Sequence, residues 1–171
     1  MITCRVAKIL LVCLCCSFLF LPGCANFIKP EIGAIARQEA RIDLVEGGVQ
    51  DAIWSTKDLE LTYSYSEVEN TFSLSGKLVF DRSLTDSFRL TKRFVLKMNF
   101  LDGEGRVLET VDISPLISSY GFEPDPEFFV KRSSLKPMGS SSIAFNYYGE
   151  FMGNDPEARG DSWYISYFPF D

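Results

Sequence analysis

Residues 94–113 have the clearest hairpin pattern in the chain, Phe-Val-Leu-Lys-Met-Asn-Phe-Leu-Asp-Gly-Glu-Gly-Arg-Val-Leu-Glu-Thr-Val-Asp-Ile. In its first half, apolar side chains occupy every second position, which is the period of a half-buried β-strand. Residues 102–105 follow as Asp-Gly-Glu-Gly, and glycines beside an aspartate supply the positive φ angles that short hairpin loops need. Residues 106–113 then return as a second strand. The stretch therefore predicts a β-hairpin with one buried face.

The same period of two recurs on both sides of this hairpin. It is found at residues 59–66, 72–80, 128–135, 143–147 and 163–167. With the hairpin, these segments make about seven strands separated by turn-forming residues. The run Phe-x-Leu-x-Met-x-Phe-Leu-Asp-x-x-Gly-x-Val from residue 94 resembles a hairpin of extracytoplasmic immunoglobulin-like domains. The resemblance implies a mainly β fold, an antiparallel immunoglobulin-like β-sandwich.

The N-terminal residues have the organisation of an export signal. Arg5 and Lys8 are followed by an almost unbroken apolar run from Ile9 to Leu21, and no acidic residue precedes it. A charged segment followed by an apolar one of this length is typical of a secretory signal. The run is shorter than the roughly 20 apolar residues that a membrane-spanning helix needs. We therefore expect residues 1–23 to be a signal peptide.

The end of the apolar run, Leu21-Pro22-Gly23-Cys24, resembles the lipobox of bacterial lipoproteins, with Pro22 where that family prefers Ala, Ser or Thr. The resemblance implies that signal peptidase II recognises Leu21 and Gly23, and that Cys24 receives a diacylglyceryl group and becomes the mature N-terminus. It further implies a protein anchored by lipid to a membrane of the cell envelope. Ala25 follows the cysteine instead of Asp, which in this family favours the outer membrane, facing the periplasm, over the inner membrane. An ordinary secretory signal with an incidental cysteine and an uncleaved helical anchor are the alternatives.

Composition limits what the rest of the chain does. Loss of Arg5 and Lys8 with the signal leaves 15 of the 17 basic residues against 23 acidic ones, a formal charge of −8. This charge argues against nucleic acid or anionic lipid headgroups as partners, because both require cationic contacts. All five cysteines lie at or before residue 24, and the chain has no histidine. The sequence therefore predicts no disulfide, no thiolate metal site and no cofactor in the folded part.

The chain after the signal divides into two parts. We interpret residues 24–52 as a tether, because Gly47-Gly48 ends any helix before it and the strand period of two begins only after this segment. Ile32, Ile35 and Ala36 form a weak helical stripe within it. This stripe is compatible with a short helix in the tether or with a helix packed on the domain. Residues 53–171 form the predicted β-sandwich domain.

One serine–lysine motif and three clusters of carboxylates are candidates for sites of chemistry. Ser133-Ser134-Leu135-Lys136 contains the Ser-x-x-Lys motif of penicillin-binding proteins and serine β-lactamases, but the other motifs of those enzymes do not occur here. Carboxylates cluster in loops, and calcium sites draw six to eight oxygens from such loops. Their spacing matches no calcium loop, so solvated acidic loops are the preferred interpretation. The clustered residues are Asp102 and Glu104; Glu123, Asp125 and Glu127; and Asp155, Glu157 and Asp161.

Aromatic residues near the C-terminus suggest a binding surface. Tyr148, Tyr164 and Phe168 alternate with Tyr147, Trp163 and Tyr167, and therefore point to the opposite face of their strands. Either the N-terminal segment or a loop buries this second face, or an aromatic patch is exposed that binds a partner protein or glycan.

The sequence as a whole predicts a non-catalytic lipoprotein that presents a β-sandwich interaction module within an envelope assembly. Tethering at a membrane raises effective concentration and needs no active site. The second hypothesis is a module that binds a small ligand or glycan through its aromatic faces. The third is an enzyme that relies on loop carboxylates, with or without calcium.

Overall fold

The computed structural model describes residues 28–115, 127–153 and 162–171, and these residues form a mainly β structure. Within these ranges, nine strands and one short α-helix follow in chain order after a 3₁₀ turn at Gln38–Ala40. They are β1 (Ile42–Asp43), β2 (Val49–Ser55), β3 (Leu59–Val68), β4 (Thr71–Phe80), α1 (Arg82–Ser87), β5 (Phe88–Leu101), β6 (Val107–Asp112), β7 (Glu127–Leu135), β8 (Ser142–Gly153) and β9 (Ser162–Tyr167).

The strands form two antiparallel sheets. The first sheet has the order β2-β3-β4-β7, and the second has the order β1-β8-β5-β6 with β9 also paired to β8. β1 pairs with the beginning of β8 and β9 with its later part, so both lie on the edge of β8 that faces away from β5. The prediction of a mainly β, antiparallel fold is confirmed.

Aromatic side chains join the two sheets through their inner faces. Ring centroids lie 5.0 Å apart for Trp54 and Phe145, and 5.2 Å apart for Phe72 and Phe100. Burying a side chain of this size contributes about 1.5–3 kcal/mol, and a tilted or edge-to-face ring pair adds about 0.5–1.5 kcal/mol. The residues at alternate positions of these strands therefore form the buried aromatic core between the two sheets.

Two tight turns connect neighbouring strands of the sheets. Glu69 and Asn70 connect β3 to β4 with φ angles of 47° and 65°, the left-handed conformation of a two-residue hairpin loop. In the hairpin of β5 and β6, Asp102 Oδ1 accepts the backbone N–H groups of Arg106 and Glu104 at 2.9 Å. These bonds lower the pKa of Asp102, and the bond from Arg106 has the largest effect. Asp102 therefore stabilises the turn.

The N-terminal part of the folded body corrects the sequence interpretation. The predicted boundary between a tether at 24–52 and a domain at 53–171 falls within β2, which pairs with β3 over its whole length. β2 was missed because it is an edge strand whose Val49 and Ile53 face solvent, so its apolar residues do not alternate toward one buried face. Ile35 and Ala36, which suggested a helix, form β-bridges to Arg106 and Phe170 instead.

The residues of the lipobox-like motif, Leu21, Gly23 and Cys24, lie outside the described residues. In the described ranges, no helix has the length and apolar character needed to cross a bilayer.

Candidate functional site

The outer face of the second sheet, which points away from the first, is divided into a covered half and an open half. The segment 28–41 crosses the covered half. Backbone bonds hold it there: the Gly33 N–H donates to the Val107 carbonyl at 2.8 Å, and the Ala36 N–H donates to the Gly105 carbonyl at 2.9 Å. The segment thus lies beside the start of β6 and is part of the folded body.

Two buried asparagines join the N-terminal segment to the sheet. Asn99 and Asn146 are neighbours on β5 and β8 and are fully buried. Asn99 Nδ2 donates to Asn146 Oδ1 at 2.8 Å, and Asn146 Nδ2 donates to the carbonyl of Ile28 at 3.0 Å. Thr110 Oγ1 donates to Asn99 Oδ1 at 2.8 Å. Buried polar groups normally require such partners, so this network fixes where the chain joins the sheet.

Phe168 lies in the covered half. It follows the last residue of β9, and its ring is half-buried, 5.3 Å from that of Phe170. Arg37 Nη2 donates to its carbonyl oxygen at 2.9 Å. Phe168 therefore packs under the N-terminal segment, as the burial alternative predicted, and is not part of the open half.

The open half includes Lys92, Arg93, Tyr148, Glu150, Tyr164 and Ser166, and Val95 and Met152 lie on the same face. Tyr148 and Tyr164 have ring centroids 6.2 Å apart, and the guanidinium carbon of Arg93 lies 6.0 Å from the centre of the Tyr148 ring. Tyr164 is 57% exposed. A cation at this distance over an aromatic face is favourable. Two of the three predicted binding aromatics thus lie together on an accessible surface.

An ion pair borders these aromatic rings. Lys92 Nζ lies 2.6 Å from Glu150 Oε1, which also accepts the hydroxyl of Ser162 at 3.1 Å. The hydrogen bond from Lys92 lowers the pKa of Glu150, and the same bond raises the pKa of Lys92. Both groups therefore stay charged near neutral pH. With Arg93, the open half carries two cationic side chains against one carboxylate.

A buried cluster lies between the sheets at one end of the body. Tyr147 Oη donates to Asp58 Oδ2 at 2.6 Å and lies 3.0 Å from Thr56 Oγ1. Burial first, and then the hydrogen bond to Asp58, raise the pKa of Tyr147. The phenol stays neutral and donates to the Asp58 carboxylate, so the cluster stabilises the turn between β2 and β3.

The first sheet has a shallow depression of about 460 Å³ on its outer face, which the sequence reasoning missed. Phe129 is 80% exposed at this depression. Ser64 Oγ donates to Asp51 there, and Lys77 pairs with Glu127. The depression therefore combines one accessible ring with hydroxyls and both signs of charge. Alternation of serine and lysine along β4 is the sequence signal that marks this face.

The other sequence candidates do not converge on a site in the described residues. Ser133 Oγ bonds to Ser73 Oγ at 2.9 Å, whereas Lys136 Nζ pairs with Glu67 at 2.6 Å, so the Ser-x-x-Lys residues have separate partners. Glu104 pairs with Arg106. Within the described ranges, no group of three or more metal-binding side chains occurs. Glu123, Asp125, Asp155, Glu157 and Asp161 lie outside these ranges.

Comparison of the chain with protein-family models, curated proteins and solved structures gives no match. The surfaces described above are therefore the basis for the function proposed next.

Proposed function

We propose that this protein is a lipid-anchored lipoprotein of the bacterial cell envelope whose folded body is a non-catalytic interaction module. One observation carries the proposal: Cys24 lies only four residues before Ile28, whose carbonyl oxygen is already bonded into the second sheet. Acyl chains on Cys24 would hold the body at the bilayer surface, since two or more chains anchor a protein stably. Because Ala25 follows the cysteine, we place the anchor in the outer membrane, facing the periplasm.

The proposed body is an immunoglobulin-like sandwich. In such domains strand B lies beside E, and strand F lies between C and G. In this chain β4 lies beside β7, and β8 lies between β5 and β9. β6 extends the second sheet next to β5, at the position of strand C′ in variable-type domains. This strand order supports the immunoglobulin-like assignment, with the hairpin of β2 and β3 at the other edge of the first sheet.

The proposed surface for an envelope protein partner is the outer face of the first sheet. Large apolar side chains are exposed there on both edge strands, and exposed apolar patches mark interaction sites. They are Val49 and Ile53 on β2, and Phe129 and Leu135 on β7. Serine and threonine side chains lie between them, and the charged side chains of this face include both signs, such as Asp51 and Lys77.

Photo-crosslinking in intact cells tests this function. A photoreactive amino acid is placed at Ile53 or at Phe129 of the full chain, and Glu104 in the exposed hairpin loop is the control position. We expect a discrete crosslinked protein from the sheet positions, none from Glu104, and loss of the product when Cys24→Ser releases the anchor. Failure of both sheet positions to give a discrete product would count against the assembly role.

The depression at Phe129 favours a second candidate function, glycan binding. Sugar rings stack on exposed aromatic faces, and their hydroxyls bond to side chains such as Asp51, Ser64 and Lys77, which line the depression. Binding of the mature chain to isolated peptidoglycan is the test. Phe129→Ala should reduce retention several-fold, whereas Leu135→Ala, which removes another exposed apolar side chain of β7, should not. Equal retention of both variants would exclude this candidate.

A further inference from the structure

We propose that the open half of the second sheet lies on the lipid headgroups, so that the first sheet faces away from the bilayer. The inference rests on the lipid anchor proposed for Cys24 and goes beyond it. An anchor alone fixes one point of the chain, whereas this contact fixes the orientation of the whole body.

The reach of the chain between the anchor and the body is short. Four residue steps separate Cys24 from Ile28, and they span about 14 Å at full extension. The headgroup layer of one leaflet is itself about 5–8 Å thick. The point at which Ile28 joins the body therefore lies within several ångströms of the membrane surface. A link this short keeps the body in contact with the headgroups or next to them.

The place where the chain joins the body selects the face that meets the bilayer. Ile28 is bonded to Asn146, which points outward from the second sheet. The next outward residue along β8 is Tyr148, and Ser166 of β9 pairs with it. The open half thus begins one residue pair from the attachment point. The first sheet lies on the far side of the aromatic core from this point.

The side chains of the open half match the chemistry of a membrane interface. Tyrosine is enriched at the headgroup level, where its ring contacts acyl chains and its hydroxyl stays in water. Long cationic side chains reach headgroup phosphates from the same level. Tyr148 and Tyr164 supply the rings, and Lys92 and Arg93 supply the cations.

The net charge of the chain does not conflict with this contact. The mature chain carries a formal −8, so attraction to an anionic surface would not bring it to a membrane. The acyl chains supply the affinity, and the open half has only to select an orientation. Locally it carries two cations against Glu150, the opposite sign to that of the whole chain.

The absence of cysteine after residue 24 gives a direct test. Acylation blocks the thiol of Cys24, so a cysteine introduced later becomes the one free thiol of the processed protein. Ser166→Cys lies in the open half, and Ser75→Cys is its matched control on the outer face of the first sheet; both positions are exposed. Each variant of the full chain is purified in acylated form, labelled with an environment-sensitive dye and reconstituted into phosphatidylethanolamine–phosphatidylglycerol vesicles.

A lipid-borne quencher placed just below the headgroups reports which dye contacts the bilayer. We expect quenching at residue 166 to be several-fold stronger than at residue 75, because the sheets alone are about 10 Å apart. Adding Tyr148→Ser and Tyr164→Ser should remove most of the difference. Both rings lie at the surface, so the body should remain folded, which circular dichroism of the labelled protein checks.

The outcomes separate this inference from the anchor on which it rests. Equal quenching at both positions in a protein whose mass shows acylation overturns the orientation and leaves the anchor in place. A difference that survives the tyrosine substitutions overturns the role of the open half, because the short link would then orient the body alone. An unacylated protein that stays in solution overturns both proposals.

Discussion

Replacing Asn146 by alanine tests whether buried hydrogen bonds hold the N-terminal segment on the second sheet. The substitution removes the 3.0 Å bond to the Ile28 carbonyl and the 2.8 Å bond that Asn99 donates. Each such bond contributes about 0.5–1.5 kcal/mol, and a buried N–H left without a partner costs about 1–3 kcal/mol. The Asn99 amide loses the partner of one N–H, while the other still donates to the Ala144 carbonyl at 3.1 Å. Because both asparagines are fully buried, we expect Asn146→Ala to lower the free energy of unfolding by about 2–4 kcal/mol.

Urea unfolding of the mature chain, made without its signal segment, measures this loss, with the slope of the transition unchanged. Amide hydrogen exchange locates it: the Gly33 and Ala36 amides should exchange faster, because they are bonded to β6 and to the hairpin loop before it. Thr110→Val is the control, since it removes one bond to Asn99 but none to the segment. It should cost about 1 kcal/mol and leave the exchange at Ala36 unchanged. The reasoning is refuted if Asn146→Ala costs no more than Thr110→Val and exchange at Ala36 stays slow.

Two further predictions concern the core. At Gly76 a Cβ atom would lie 2.6 Å from the Thr62 carbonyl oxygen and 2.8 Å from Tyr63 Cβ, so Gly76→Ala should lower the free energy of unfolding by about 1–3 kcal/mol. Thermal unfolding compares it with Gly103→Ala, which has open space around the added Cβ. Equal melting temperatures of the two variants would contradict the prediction. The hydroxyl of Tyr63 is buried without a hydrogen-bond partner in the described part of the chain, and burial raises the pKa of Tyr63 from 10.0 to about 12. The stability linked to this neutral phenol is complete below pH 10 and is lost as the pH rises toward 12, at up to about 1.4 kcal/mol per pH unit. Tyr63→Phe should therefore keep or raise the free energy of unfolding at pH 7 and lose less of it at alkaline pH. Parallel plots of unfolding free energy against pH for the variant and the wild type would count against this.

Most of the sheet architecture could be predicted from the sequence, because half-buried strands leave a period of two. Tyr63 and Leu61 on β3 and Met98 and Phe100 on β5 all face the core that this alternation indicated. Asn70 is also a sequence signal for a turn, since asparagine tolerates the left-handed conformation, whereas the same conformation at Glu69 has no such signal.

The N-terminal segment could not be predicted in the same way. Its attachment to the second sheet depends on Asn146 and Asn99, which lie far from it in sequence and have no apolar pattern of their own. The edge strand β2 has no clear sequence pattern, because its apolar residues face both ways: Ile53 faces solvent and Trp54 faces the core. Such features follow from long-range contacts, and periodicity within one segment does not report them.

The candidate surface could be predicted in part. The positions of Tyr148 and Tyr164 on alternate residues of two strands indicated a shared outer face. Arg93 and Glu150 join them only through the register of β5 with β8, which one sequence does not specify. The covering of Phe168 likewise depends on the path of the distant N-terminal segment.

Lipid attachment at Cys24 is tested by the intact mass of the protein extracted from the membranes of cells that express the full chain. We expect the mass of residues 24–171 plus a diacylglyceryl group and an acyl chain on the new amine. Cys24→Ser should lose both this mass and the membrane association, whereas Cys16→Ser, within the signal segment, should behave as wild type. A wild-type protein found in the membrane fraction at the mass of an uncleaved or unmodified chain would show that Cys24 is not a lipid anchor.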